Sequence, residues 1–193
     1  MSRICVFCGS NSGSDPQFTD AAREVGQELV RRGHGLVYGG GRVGLMGVLA
    51  DATLAAGGDV IGVIPEGLAR KEVAHAGVSD MRVVNTMHER KALMSDLSDG
   101  FLALPGGLGT LDEFFEICTW AQLGIHRRPC GLHNVGGYFD ALIDFLDHVV
   151  DKRFLSSEHR QIIMVETSAA TLLDRFETYV APVATKWIDR EER

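Results

Sequence analysis

Two carboxylates stand one helical turn apart in the segment with the strongest sign of chemistry. Glu113 and Glu116 follow the run Pro105-Gly106-Gly107-Leu108-Gly109-Thr110, whose three glycines permit a tight turn and a close approach to bare backbone. The first-turn N–H groups of the helix predicted to follow have no partners, and with the helix dipole they form an anion site, most naturally for phosphate. Glu113 and Glu116 share one face of that helix. The pattern therefore predicts a phosphate-binding turn beside a pair of carboxylates.

The same residues have a purely structural interpretation. Thr110 and Glu113 have the spacing of a capping box, in which the threonine caps the helix and the glutamate bonds back to the cap N–H. Acidic residues in a first turn also compensate the helix dipole. The motif alone leaves both interpretations open.

A second cluster is the stretch Met87-His88-Glu89-Arg90-Lys91-Ala92-Leu93-Met94, which is predicted to be helical. Arg90 and Lys91 are adjacent, so only one of them readily faces a given direction, whereas Arg90, Leu93 and Met94 share a face. One guanidinium beside two apolar side chains could hold a flat base and a charged group together. The alternative is a surface helix with solvated charges, which is the commoner fate of arginine and lysine.

A third stretch, Gly39-x-Gly41-x-x-Gly44, follows a predicted strand and opens a helix, as the dinucleotide fingerprint does. It lies on the second strand instead of the first, and Glu66 falls beyond Pro65 instead of at the strand tip, where a ribose would need it. Neither glycine turn ends in the Lys-Ser/Thr of a P-loop, which argues against nucleoside triphosphate hydrolysis. A nucleotide- or dinucleotide-binding module without hydrolysis is the alternative to an enzyme.

The elements that must position these clusters alternate between strand and helix. We predict strands over 3–8, 35–38, 59–64, 81–84, 101–104, 129–132 and 162–165, helices over 16–32, 45–56, 86–97, 111–123, 138–150 and 169–180, and a loop or frayed helix over 69–80. The alternation predicts an α/β fold, a Rossmann-like doubly wound parallel sheet with helices on both faces. Ligands of such sheets bind at the carboxyl ends of the strands, where the turns after Cys8, Tyr38 and Leu104 should meet. We predict one domain over 1–180 and a charged C-terminal tail over 181–193.

Composition excludes several classes of function. The 193 residues carry a formal net charge of −7, which argues against general binding of nucleic acid or anionic membranes. No apolar run approaches the roughly 18–20 residues of a membrane-spanning helix. Cys5, Cys8, Cys118 and Cys130 are too few for a disulfide scaffold, so a cytoplasmic location is expected. Cys5 and Cys8 fall on a strand, where positions three apart point to opposite faces, and the histidines show no ligand spacing, so no metal site is predicted.

The sequence resembles the LOG ("Lonely guy") family over most of its length. The run from Pro105 to Glu113 fits the PGGxGTxxE signature of that family without departure. Further matching segments are Cys8-Gly9-Ser10, Val37 to Gly41, Gly44 to Gly47, Met87 to Lys91 and Thr119 to His126. Members of the family are cytokinin riboside 5′-monophosphate phosphoribohydrolases, once widely mislabelled lysine decarboxylases. A pyridoxal phosphate decarboxylase is not expected, because it needs a lysine Schiff base and, of the four lysines, only Lys91 falls near the predicted crevice.

The resemblance implies a Rossmann-like fold and hydrolysis of the bond between an adenine-type base and ribose 5-phosphate. It implies that Arg90 and Glu113 are catalytic, with Glu116 as a neighbouring carboxylate of the extended motif. The residues predicted to bind substrate or its phosphate are Gly9, Ser10, Gly40, Gly41, Met87, Lys91, Met94, Gly106, Gly107, Leu108, Gly109 and Thr110. The resemblance further implies a nucleoside 5′-monophosphate as partner, no metal or organic cofactor, and a homodimer, for which apolar residues around Leu93 or Phe114 are candidates.

Overall fold

The computed structural model of the chain describes residues 2–69 and 74–182. A sheet of seven strands runs through it: β1 (Arg3–Phe7), β2 (Gly35–Tyr38), β3 (Val60–Pro65), β4 (Asp80–Val84), β5 (Gly100–Ala103), β6 (Cys130–His133) and β7 (Ile163–Glu166). The strands lie in the order β4-β3-β2-β1-β5-β6-β7, and every neighbouring pair is parallel. The chain winds outward from β1 in one direction and then returns to place β5 on its other side, so the topological switch lies between β1 and β5.

Helices cover both faces of this sheet. They are α1 (Pro16–Arg31), α2 (Gly44–Ala55), α3 (Glu66–Ala69), α4 (Met87–Asp96), α5 (Leu108–Gln122), α6 (Asp140–Asp151), α7 (Ser157–Arg160) and α8 (Ala169–Glu177), with a 3-10 turn at Val135–Gly137. One core cluster packs α1, α2 and α8 on one face, and a second packs α4, α5 and α6 on the other. The predicted Rossmann-like doubly wound α/β fold is thereby confirmed. Among the described residues, no helix combines the length and the apolarity needed to cross a membrane.

Local sequence explains where α1 begins. Asp15 caps α1 by accepting from the Gln17 N–H at 2.9 Å, and Pro16 occupies the first helical position, as its fixed φ favours. Cys5 and Cys8 belong to opposite core clusters, as the alternation along a strand predicts. All four cysteines are buried and free.

Two predicted helix starts are wrong. Helix α5 begins at Leu108 with Gly107 as its N-cap, so Thr110 lies inside the first turn and caps nothing. Helix α6 begins at Asp140 instead of Tyr138, because the 3-10 turn intervenes after β6. In the predicted loop over 69–80, Ala69 ends α3 and Asp80 begins β4, while 70–73 lie outside the described residues. The predicted tail over 181–193 is described only as far as residue 182, and the boundary at 180 stays a prediction.

Candidate active site

A cavity of about 450 Å³ opens at the carboxyl ends of β1, β2 and β5, beside the topological switch. The turns after these three strands form most of its walls. The starts of α2, α4 and α5 complete them, with Phe18 of α1, Ile64 of β3, Leu68 of α3 and Tyr138 between β6 and α6. The turns are held together by backbone hydrogen bonds, since the Gly9 N–H donates to the Pro105 carbonyl at 3.0 Å and the Leu45 N–H to the Gly9 carbonyl at 3.0 Å. The predicted meeting of three strand-end turns is thus confirmed.

The start of α5 is open toward this cavity. Gly107 and Gly109 line it, and a Cβ added at either position would meet no described atom within 4 Å. The N-cap Gly107 makes no side-chain cap bond, and the Leu111 N–H is the first of α5 to donate back, to the Gly107 carbonyl at 3.1 Å. The preceding first-turn N–H groups and the helix dipole are therefore free to attract an anion. Gly106 differs, because its Cβ would come within 2.1 Å of Thr110 Oγ1.

The start of α2 is closed by the protein itself. A Cβ on Gly44, whose φ is +60°, would lie 2.3 Å from the Ser10 carbonyl carbon, and the Leu45 N–H already donates to Gly9. A Cβ on Gly39 would lie 2.0 Å from Arg90 Nη2. The outer glycines of the G-x-G-x-x-G pattern therefore make room for protein atoms, and the Leu45 N–H at the start of α2, where a pyrophosphate would bind, is already paired within the protein.

An arginine and a glutamate form a buried pair on the cavity wall. Arg90 Nη1 on α4 lies 2.7 Å from Glu113 Oε1 on α5, and each residue is 8% exposed. Arg90 Nε donates to the Val63 carbonyl at 3.1 Å, and Arg90 Nη2 donates to the Gly39 carbonyl at 3.4 Å. The guanidinium is thus fixed from two strand ends and fixes the carboxylate in turn.

This pairing decides between the two interpretations of Glu113. Its carboxylate pairs with Arg90 and the cap residue is Gly107, so the capping-box interpretation with Thr110 is wrong. Burial raises the pKa of Glu113 above its ordinary value, against the opposing influence of the Arg90 charge, and the neighbouring Asp112 carboxylate raises it further. A carboxylate with a raised pKa is a stronger base at neutral pH than a solvated one.

A second set of ion pairs joins the same two helices, and of its three members only Asp112 lines the cavity. Lys91 Nζ lies 3.1 Å from Asp112 Oδ2 and 3.1 Å from Glu116 Oε2. Burial favours the neutral amine of Lys91, but the two carboxylates outweigh it and raise the pKa of Lys91. Met94, expected beside Arg90 on a base-binding face, is 1% exposed and packs in the second core cluster, so that expectation is wrong.

The structure gathers most, but not all, of the predicted site residues around the cavity. Those that line it are Gly9, Ser10, Gly41, Met87, Arg90, Gly106, Gly107, Leu108, Gly109, Thr110 and Glu113. Those that do not line it are Gly40, Lys91, Met94 and Glu116. Gly40 instead has a φ of +74°, and a Cβ at this position would lie 3.1 Å from both Ile64 Cβ and Met81 Sδ. Among the described residues, no group of three His, Cys, Asp or Glu side chains is arranged to hold a metal ion.

Sequence reasoning missed Tyr138 as a site residue. Its ring lines the cavity, and its hydroxyl donates to the Gly106 carbonyl at 2.7 Å across 32 residues of sequence. Asn134 positions this segment, because its Oδ1 accepts from the Phe139 N–H and its Nδ2 donates to Asp140 Oδ1, both at 2.7 Å. The sequence signal was present as Asn134 and two glycines immediately before an aromatic residue.

Comparison with known proteins places the chain among nucleotide-processing relatives. Residues 46–176 match a family model described as possible lysine decarboxylase. A probable cytokinin riboside 5′-monophosphate phosphoribohydrolase of Oryza sativa subsp. japonica is 50% identical over 191 residues, covering 96% of this chain and 85% of the relative. A cytokinin riboside 5′-monophosphate phosphoribohydrolase of Arabidopsis thaliana is 50% identical over 178 residues, covering 92% and 84%.

Solved structures share the fold at much lower sequence identity. The molybdenum cofactor carrier protein of Chlamydomonas reinhardtii superimposes with a TM-score of 0.70 at 19% identity, covering 92% of this chain and 96% of that one. Similarity at this level of identity concerns the fold alone.

Proposed function

Because this chain belongs to the LOG family of cytokinin riboside 5′-monophosphate phosphoribohydrolases, we propose that it hydrolyses the N-glycosidic bond of adenosine 5′-monophosphates, including N6-modified ones. The products are the free base, a cytokinin or adenine, and ribose 5-phosphate. The observation that carries the proposal is one cavity in which an open helix start lies beside the buried pair of Arg90 and Glu113.

The open start of α5 supplies the anchor for the substrate. The 5′-phosphate binds the N–H groups of the turn at Gly107, Gly109 and Thr110, and the absence of side chains at the two glycines leaves room for it. The three phosphate oxygens and the fixed amides orient the ribose, so that binding energy holds the ring in a reactive geometry. None of this requires a metal ion or an organic cofactor.

Glu113 performs the chemistry on the anchored ribose. Cleavage of the C1′–N bond builds positive charge on the sugar, as in the oxocarbenium-like step of glycoside hydrolysis. The Glu113 carboxylate stabilises that charge and takes a proton from the attacking water, whose oxygen bonds to C1′ while the bonding electrons leave with the base. The base takes up one proton as it leaves and Glu113 gives up the one it accepted, so that the water ends as the hydroxyl on C1′ and the hydrogen on the base. Arg90 holds the carboxylate in place, and its charge favours the electrons that accumulate on the departing base. Glu116 acts only indirectly, by holding Lys91.

Two other activities fit the cavity less well. A dinucleotide module would use the start of α2, whose Leu45 N–H is taken by Gly9 and whose Gly44 is packed against Ser10. A decarboxylase of the pyridoxal phosphate type needs a neutral lysine amine, whereas Asp112 and Glu116 raise the pKa of Lys91 against its burial, and Lys91 does not line the cavity.

Product release tests the proposal. The purified protein is incubated separately with AMP, N6-isopentenyladenosine monophosphate, adenosine and NAD, and base and ribose 5-phosphate are quantified by chromatography. We expect both products in equal amounts from the two monophosphates and slower release from adenosine, which lacks the anchor. Binding of NAD without base release from either monophosphate would support the binding module instead.

We also propose a homodimer in the cytoplasm. The buried free cysteines suit a reducing compartment. Phe114 is fully buried in the core and is therefore unavailable to a partner, whereas Leu123 and Ile125 after α5 are 54% and 66% exposed and offer apolar surface. Sedimentation equilibrium should give twice the monomer mass, and a monomer at all concentrations would contradict the dimer. Cell fractionation tests the location.

A further inference from the structure

Tyr138 touches the phosphate-binding turn through a single polar contact. Its hydroxyl donates to the Gly106 carbonyl at 2.7 Å, and its ring packs edge-on against Phe18 at 5.7 Å between centroids and against Phe139 at 4.9 Å. The ring is thus held from α1 and from its own segment, which leaves the hydroxyl at a fixed place. The two hydrogen bonds of the Asn134 side chain, to the Phe139 N–H and to Asp140 Oδ1, fix the backbone around Tyr138.

The contacted carbonyl belongs to the peptide between Gly106 and Gly107. In a trans peptide the N–H points opposite to the carbonyl, so the direction of the Gly106 carbonyl decides the direction of the Gly107 N–H. A peptide between two glycines flips at little cost, because neither neighbour has a Cβ to restrict φ and ψ. Packing requires glycine at 106, where a Cβ would strike Thr110, and the open space at 107 leaves that side of the peptide unrestrained.

A flipped Gly106–Gly107 peptide would weaken anion binding at the start of α5. It would turn a carbonyl oxygen toward the place where the start of α5 attracts an anion, and it would withdraw the Gly107 N–H. The hydroxyl of Tyr138 holds the carbonyl on the tyrosine side through a hydrogen bond that the flipped form cannot make. Among the described residues, no other side chain donates to this carbonyl.

We propose that Tyr138 is a positioning residue, whose hydroxyl locks the Gly106–Gly107 peptide in the orientation that receives the 5′-phosphate. This inference rests on the proposed function for the identity of the substrate. The effect of the hydroxyl on anion binding depends only on the anion site and not on hydrolysis. Tyr138 therefore contributes to binding of the phosphate and not to cleavage of the glycosidic bond.

Tyr138→Phe tests the lock, because it removes the hydroxyl and keeps the ring. The matched control is Tyr179→Phe, since Tyr179 follows α8, packs against the first core cluster and is absent from the cavity wall. Binding of ribose 5-phosphate is measured by calorimetry for both variants and the wild type, and steady-state kinetics are measured with AMP and with adenosine. Thermal unfolding is recorded for each protein.

We expect Tyr138→Phe to bind ribose 5-phosphate about three- to tenfold more weakly, the range of one lost hydrogen bond. The KM for AMP should rise by the same factor with kcat within about twofold, and the KM for adenosine should not change. Tyr179→Phe should match the wild type throughout. Three results would contradict this role of Tyr138: unchanged binding of ribose 5-phosphate in Tyr138→Phe, an equal loss of binding in Tyr179→Phe, or a fall in kcat at constant KM.

Calorimetry separates failure of the lock from failure of the proposed function. If the wild type releases no base from any nucleotide but binds ribose 5-phosphate in a Tyr138-dependent way, the hydrolase proposal fails and the lock stands. If the wild type does not bind ribose 5-phosphate, the anion site and the lock fall together.

Discussion

Helices α4 and α5 are joined by two neighbouring sets of ion pairs that differ in their surroundings. Arg90 and Glu113 form the inner pair, with both side chains 10% exposed and both residues on the cavity wall. Lys91 forms the outer set with Asp112 and Glu116, whose side chains are 63% and 26% exposed. The two sets come from adjacent residues of the same two helices, yet the inner pair places both of its members on the cavity wall, whereas only Asp112 of the outer set reaches it.

Pairing by itself therefore does not mark a catalytic group. A pair whose carboxylate remains in water gains little from its partner, whereas a pair withdrawn from water depends strongly on each member. Burial against a cavity therefore distinguishes Glu113 from Glu116, although one sequence motif contains both.

The largest expected effect is on turnover in Glu113→Gln. The amide cannot accept the proton of water, so we expect kcat for AMP to fall at least about a hundredfold, on the scale of a positioned general base. Binding of ribose 5-phosphate should persist, because the anion site is separate. Full activity in this variant would end the distinction between the inner and the outer set.

The next effect is on stability, in the matched variants Arg90→Met and Lys91→Met. Loss of Arg90 leaves Glu113 buried without a partner and should lower the free energy of unfolding by about 3–5 kcal/mol. Loss of Lys91 leaves Asp112 largely in water but leaves the buried Glu116 Oε2 without its cation, and should cost less, about 1–3 kcal/mol. Urea unfolding of both variants measures the difference, and equal losses would contradict the comparison.

A smaller effect is expected in the pH dependence of kcat/KM. The base must be ionised, and burial raises the pKa of Glu113, so activity should fall as the pH drops through a value above that of an ordinary glutamate. Asp112→Asn removes a charge that raises this pKa and should move the acid limb to lower pH, whereas Lys91→Met should move it to higher pH. Identical limbs in all three proteins would mean that another group titrates.

The smallest effect is expected in Glu116→Gln. Its carboxylate lies outside the cavity and pairs only with Lys91 among the described contacts, so kcat and KM should stay within about twofold of the wild type. This variant is the matched control for Glu113→Gln, since it makes the same chemical change one turn along the helix. A loss approaching that of Glu113→Gln would place Glu116 in the reaction.

Sequence reasoning succeeded where the signal was local. The glycine turn at 106–109 and the first turn of α5 are a matter of backbone freedom and unpaired N–H groups, which neighbouring residues dictate. It failed for Thr110, whose spacing to Glu113 fits a capping box. The helix instead begins at Leu108, and the Glu113 carboxylate pairs with Arg90. It failed for Met94 as well, because periodicity assigns residues to a shared face without saying how much of that face the core covers.

The sequence by itself determined the alternating strands and helices, hence the doubly wound sheet, and the residue types at each strand end. Only the tertiary structure decided that Arg90 and not Lys91 faces the cavity, and that Tyr138 reaches Gly106. It also decided that Gly39 and Gly44 near the start of α2 accommodate protein atoms, while Gly107 and Gly109 at the start of α5 leave open space. The physical reason is range. Propensity and periodicity act over a few residues, whereas the neighbours of a strand-end turn are set by the order of strands in the sheet, which brings together segments far apart in the chain.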